Sequence, residues 1–258
     1  MQTRETVMDG LSQALEAADF VHALWEGGAA AFDRLDEWSD IDVYVLVDDG
    51  RVGDAFDRIE DTLEKTGGIK LKYDIGERQW PGLYQKFYKL RDASEFLLLD
   101  IAVVTRSSNE KLIEPEIHGS AVMYFNKSDA LKVAHLDFKD FEERISKRVV
   151  RLRERNEIFN VFVQKEINRG NWIEAVDMYR AVVLDSLTEA LRIEHNPLHF
   201  DFKTRYVHRE LPPSVVARLK ELYFVKDQEE LKAKYALASA WFRETIDSIQ
   251  RGGVRLYR

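Results

Sequence analysis

Apolar and polar residues alternate from Asp40 to Val47, with Ile41, Val43, Val45 and Val47 at every second position. That period of two predicts a strand over 40–47. Side chains two apart on a strand share a side. The Asp40 and Asp42 carboxylates therefore stand on one face and the apolar residues on the other. Upstream, Val7, Leu11, Ala14, Leu15 and Ala18 recur at helical spacing and predict an amphipathic helix over 5–20. His22-Ala23-Leu24-Trp25 reads as a short strand before Gly27-Gly28. Downstream, Asp48-Asp49-Gly50 marks a turn, and Val52, Phe56, Ile59 and Leu63 share one side of a helix over 52–65 that Gly67-Gly68 ends. Strands are expected over 69–75 and 83–90, around a break at Pro81-Gly82, then over 96–104 and 119–127.

From about residue 137 the period changes. Long helices are expected over 138–168, 171–194 and 227–250, with breaks at Gly170, Pro197 and Pro212-Pro213. Asn171 is placed to cap the second of these, with Glu174 completing a variant of the capping box. The pattern gives an α+β chain, a sheet domain over 1–132 followed by a helical bundle over 133–258.

Two carboxylates on one strand face disfavour joint ionisation unless a cation lies between them. Hard oxygen ligands in that arrangement suit Mg²⁺, commonly held by one or two carboxylates plus substrate phosphates. Asp100 interrupts the apolar run from Phe96 to Val104, where a bare charge is costly without a partner or a metal.

These residues carry a resemblance. Gly27-Gly28-Ala29 after a short strand, then Ser39-Asp40-Ile41-Asp42 opening the next, resembles the signature of the polymerase-β-like nucleotidyltransferases. The likeness is to their small-molecule branch, the aminoglycoside and kanamycin adenylyltransferases, and spans roughly residues 20 to 130. It implies that the turn, with Ser39, cradles the β and γ phosphates of ATP. It also implies that Asp40, Asp42 and Asp100 hold two Mg²⁺ ions, or Mn²⁺ in their place, and that AMP passes to a small-molecule acceptor with release of pyrophosphate. Lys203 and Arg205, from a mixed basic and aromatic segment, are further candidates for the nucleotide. The sequence departs from the family at Ala29, where many relatives carry a phosphate-binding Ser, at Asp33, where a second Gly is usual, and at Asn126, which replaces an acid. A nucleotide-binding protein without turnover, or an antitoxin-like interaction module on the same fold, is the alternative those departures leave open.

Charge narrows the acceptor. Residues 1–130 carry 14 Lys and Arg against 26 Asp and Glu, a balance of −12, within a whole-chain net charge of −8. A polynucleotide calls for a basic stripe, so this balance argues for a small molecule and against nucleic acid. The basic run Lys147, Arg148, Arg151, Arg153 and Arg155 reads first as a solvated helix face. The chain has no cysteine and no apolar run near the ~20 residues that span a bilayer, which fits a cytosolic, membrane-free location. His195 and His199 have the spacing of a zinc pair, but Pro197 breaks the helix that would present them. There is no Gly-x-Ser-x-Gly elbow and no P-loop.

Overall fold

A computed structural model describes residues 1–77 and 80–254. The chain divides into two compact units, Met1–Leu136 and Asp137–Arg258.

In the first unit, α1 (Arg4–Glu16), β1 (Val21–Glu26), α2 (Gly28–Ala31) and β2 (Ile41–Val47) lead to α3 (Val52–Thr66). β3 (Ile69–Glu77), β4 (Leu83–Leu90), β5 (Leu99–Thr105), α4 (Pro115–His118) and β6 (Val122–Asn126) follow. The strands form a six-stranded sheet in the order β3-β4-β5-β2-β1-β6. Only the central β2–β5 pair is parallel among the described residues; the other neighbours run antiparallel. With the helical second unit, this is the α+β fold expected.

One sheet face is covered by α1 and α3. Val7, Leu11 and Leu15 from α1 and Phe56, Ile59 and Leu63 from α3 pack against Ile41, Val43, Val45, Ile101 and Val103. Each such side chain, fully buried, contributes roughly 1.5–3 kcal/mol. The other face buries a smaller cluster of Ala23, Trp25, Leu46, Leu83, Ala102, Val104, Ile113 and Leu131. The central strands β2 and β5 are thus apolar on both sides along most of their length, and Asp42 and Asp100 lie on this second face near their starts.

Three boundaries differ from expectation. α1 stops at Glu16, and Ala18 is buried beyond it, its N–H bonded to the Leu15 carbonyl at 3.1 Å. β5 begins at Leu99, because Leu97 N–H donates to Ser94 and closes a turn over the residues before it. Phe96 instead meets Trp38 edge-on at 5.0 Å, with both rings more than half exposed. The last strand is short, Val122–Asn126.

The second unit is helical: α5 (Phe138–Phe159), α6 (Val161–Arg169), α7 (Trp172–Met178), α8 (Asp185–His195), α9 (Val207–Glu210), α10 (Pro213–Tyr223) and α11 (Gln228–Gly252). The expected 138–168 helix breaks at Asn160, whose carbonyl accepts from Val163 N–H and from the Tyr235 hydroxyl. A π-helical turn over Tyr179–Leu184 joins α7 to α8. α10 lies where the sequence pattern gave only a proline break. The capping box at Asn171 does not form: its side chain accepts no N–H from the first turn of α7, and its amide donates to Glu166 Oε2 at 2.8 Å. Gly170, left-handed at the end of α6, turns Asn171 back toward that helix. Among the described residues, no helix is long and apolar enough to cross a membrane.

Candidate active site

The parallel register of β2 and β5 sets Asp42 directly beside Asp100. Paired residues on neighbouring strands face the same side, roughly 4.8 Å apart. Gln85 on β4 donates its side-chain amide to Asp100 Oδ1, which holds that carboxylate in place on the sheet face. Asp40 lies one residue before β2, exposed, and takes a backbone hydrogen bond from Leu98.

The glycine turn sits against Asp42. Gly27 N–H donates to the Asp42 carbonyl at 2.9 Å, the last rung of the β1–β2 ladder. Gly28 has φ +53°, and a Cβ there would fall 1.8 Å from Asp42 Oδ2. No other residue fits that close approach. A Cβ on Gly27 would come within 2.9 Å of the Tyr44 ring, which stacks on Trp25 at 5.4 Å. Trp25 is fully buried and belongs to the core, whereas Trp38 is surface.

Electrostatics single out Asp42. Its carboxyl is pushed up to about 6, first by desolvation and then by the charges of Asp100, Asp40 and Glu26, with Arg4 opposing. Desolvation raises Asp40 as well, against Arg4, the Leu98 bond and Lys89. Crowded carboxylates of this kind take up a proton or a cation. The donors are all oxygen, which suits a hard divalent ion. Asp40 stands further out than the other two. Among the described residues, the three-ligand cluster whose donor atoms fall within 4.8 Å of one another is Glu110, Glu114 and His118, not the three aspartates.

Of the other expected residues, Ala29 lies in the short α2. The Ser39 hydroxyl is engaged in the loop, donating to Asp36 Oδ1 at 2.7 Å and accepting from Asp36 N–H. Asp33 has φ +53°, a left-handed conformation that explains why glycine suits that position and that Asp tolerates better than most residues. Asn126, in place of an acid, ties both its amide atoms to the backbone of Leu131. Lys203 and Arg205 belong to the second unit, where their carbonyls accept from the buried Arg192 guanidinium and their own side chains are exposed. Much of the basic run is paired locally: Lys147 with Glu143, Arg148 with Glu189 and Arg153 with Glu157.

Sequence reasoning missed Arg4, Glu26 and Gln85. Glu26 carried a faint signal, a lone acid ending an apolar strand next to Gly27. It is 3% exposed, pairs with Arg4 and accepts from the Tyr124 hydroxyl at 3.1 Å. Arg4 and Gln85 carried none, since only the folded chain brings them near residues 26 to 100.

No family model and no curated protein matches the chain. Several solved structures do, among them the following two. An aminoglycoside 6-adenyltransferase from Bacillus subtilis has 12% identity and a TM-score of 0.39, over 98% of this chain and 92% of that one. A spectinomycin adenyltransferase from Enterococcus faecialis, solved with ATP and spectinomycin, has 8% identity and a TM-score of 0.39, over 96% of this chain and all of that one. At that level of superposition, the functional reading rests on the site's own geometry.

Proposed function

We propose that the chain is a nucleotidyltransferase that moves AMP from ATP to a hydroxyl of a small-molecule acceptor. The observation that carries this reading is the Asp42–Asp100 pair on adjacent parallel strands with the Gly27-Gly28 turn closed against Asp42. Asp42 and Asp100, joined by Asp40, would hold Mg²⁺. Bound there, the ion would supply charge neutralisation at the phosphates and at the attacking oxygen.

The chain's own residues divide the remaining work. Gly27 N–H is occupied by Asp42, so the turn's phosphate contacts fall to the amides of Gly28 and Ala29, with no side chain in the way. Asp100, held by Gln85, takes the proton from the acceptor hydroxyl. The acceptor oxygen attacks the α-phosphorus as the bond to the bridging oxygen breaks, and pyrophosphate leaves. The acidic balance of residues 1–130 favours a neutral or cationic acceptor.

The test is thermal stabilisation by ATP, GTP, CTP and UTP, each with Mg²⁺, for the native chain and Asp42→Ala. A ligand at ~100 times its dissociation constant adds about 2.7 kcal/mol. A Mg²⁺-dependent shift with ATP that Asp42→Ala abolishes is the expected result. No shift with any nucleotide would sink the reading. A shift without pyrophosphate release across a panel of hydroxylated acceptors would favour a binding protein without turnover, for which Ala29 and Asp33 are the reasons to hand.

A further inference from the structure

We propose that Arg4 is a positioning residue, a clasp that sets the glycine turn at a fixed distance from the Asp40-Ile41-Asp42 segment. The inference rests on the nucleotidyl-transfer reading above.

The Arg4 guanidinium has three acceptors in two separate pieces of chain. One arm donates to Glu26 Oε1, and the other donates to the carbonyls of Ser39, at 3.0 Å, and Asp40. Glu26 is the last residue of β1, directly before Gly27-Gly28. Ser39 and Asp40 are the last residues before β2. The β1–β2 pairing ends at Glu26–Val43, with the Gly27–Asp42 bond as its final rung. Past that rung the chain leaves the sheet until residue 41, so Arg4 fastens the two ends just where strand pairing stops doing so.

The clasp is itself anchored. Arg4 is the first residue of α1, behind a capping box in which Thr3 and Thr6 each accept from the other's backbone N–H. Glu26 is buried and held at its second oxygen by Tyr124. A planar fork with five donors suits this task; an ammonium on a flexible stem is a point charge without that geometry. Arg4 touches no reacting atom. Its effect runs through the spacing of turn and carboxylates, and misplacement by about 1 Å at such a site costs on the order of 10²-fold in rate.

The test pairs Arg4→Met with Glu26→Gln, so that neither partner is left as a bare buried charge, and sets this double variant beside Arg4→Lys. Two readouts are taken: the Mg²⁺–ATP concentration giving half the maximal thermal shift, and amide exchange. In the double variant the ligand-free melting temperature should stay within a few degrees of native, while the half-saturating concentration rises at least 10-fold. Gly27 and Ile41 amides should exchange at least 10-fold faster, with Val103 and Val104 unchanged. Arg4→Lys keeps the charge and should recover little of the affinity. Native affinity in the double variant, full recovery in Arg4→Lys, or unchanged exchange at Gly27 and Ile41 would overturn the clasp. A native chain that ignores every nucleotide would instead overturn the transferase reading, and the exchange result would still decide whether Arg4 orders the turn.

Discussion

Asp42 is the residue on which site and stability oppose one another. Its pKa in the fold, about 6, lies above the 3.8 of an ordinary aspartate. The fold therefore binds that proton more tightly than the open chain does. The resulting stabilisation is complete below about pH 4 and is lost as the pH rises through 6. A rise of that size corresponds to roughly 3 kcal/mol, so at neutral pH the ionised Asp42 burdens the ligand-free fold. Asp42→Asn keeps the shape and removes the charge. In EDTA at pH 7.5 it should melt roughly 5–10 °C above native, and the gap should close by pH 4. Melting curves across pH 4–8 measure this directly; a gap that is absent, or constant with pH, would refute the crowding of Asp42 by Asp100, Asp40 and Glu26. Such a gain in stability from a substitution expected to remove ion binding is the usual mark of a functional carboxylate. Asp42 was legible in the sequence because alternation places it on one strand face, and Asp100 because it is a lone acid in an apolar run. Their adjacency was legible only through the family resemblance, since register between strands 58 residues apart is a property of the fold.

Elements were legible wherever one local period ran long enough. β2, α3 and β4 match their expected spans, the first two because each has an unbroken apolar period and a turn residue at its end, and β4 because Pro81-Gly82 marks its start. Failures came where a distant partner overrode the local signal. Asn160 passes for a mid-helix residue until Tyr235 takes its carbonyl, and Asn171 passes for a cap until Glu166 takes its amide. The contrast at two helix starts gives a prediction. Asp137 caps α5 in fact, its Oδ1 accepting from Lys139 N–H at 3.0 Å and Asp140 N–H at 3.1 Å. Asp137→Ala should therefore cost about 1 kcal/mol. Asn171→Ala removes no cap and should stay within about 0.5 kcal/mol, as an ordinary surface change does. Urea denaturation monitored by circular dichroism compares the two, and equal costs would contradict the capping assignment.

At the scale of the whole molecule, the division at residue 136 decides how ligand effects should distribute. The first unit closes its own core around β2 and β5, and the second buries residues such as Val149, Leu187, Leu191 and Phe242. Each unit has its own core, so calorimetry should resolve two cooperative transitions. The variants above assign them: Asp42→Asn moves the transition of the first unit, and Asp137→Ala that of the second. The proposed metal ligands, the glycine turn and Arg4 all belong to the first unit, and the other two nucleotide candidates, Lys203 and Arg205, to the second. Mg²⁺–ATP should therefore raise the first transition, by the amount mass action sets, and leave the second in place. Lys203 and Arg205 are the means of testing this division, since Arg192 fixes their backbone in the second unit while their side chains stay exposed. With the nucleotide confined to the first unit, Lys203→Ala and Arg205→Ala leave the ATP-induced shift unchanged. A shift of both transitions that either substitution reduces would instead return these two cations to the nucleotide site, and would make the triphosphate a coupling agent for the whole chain.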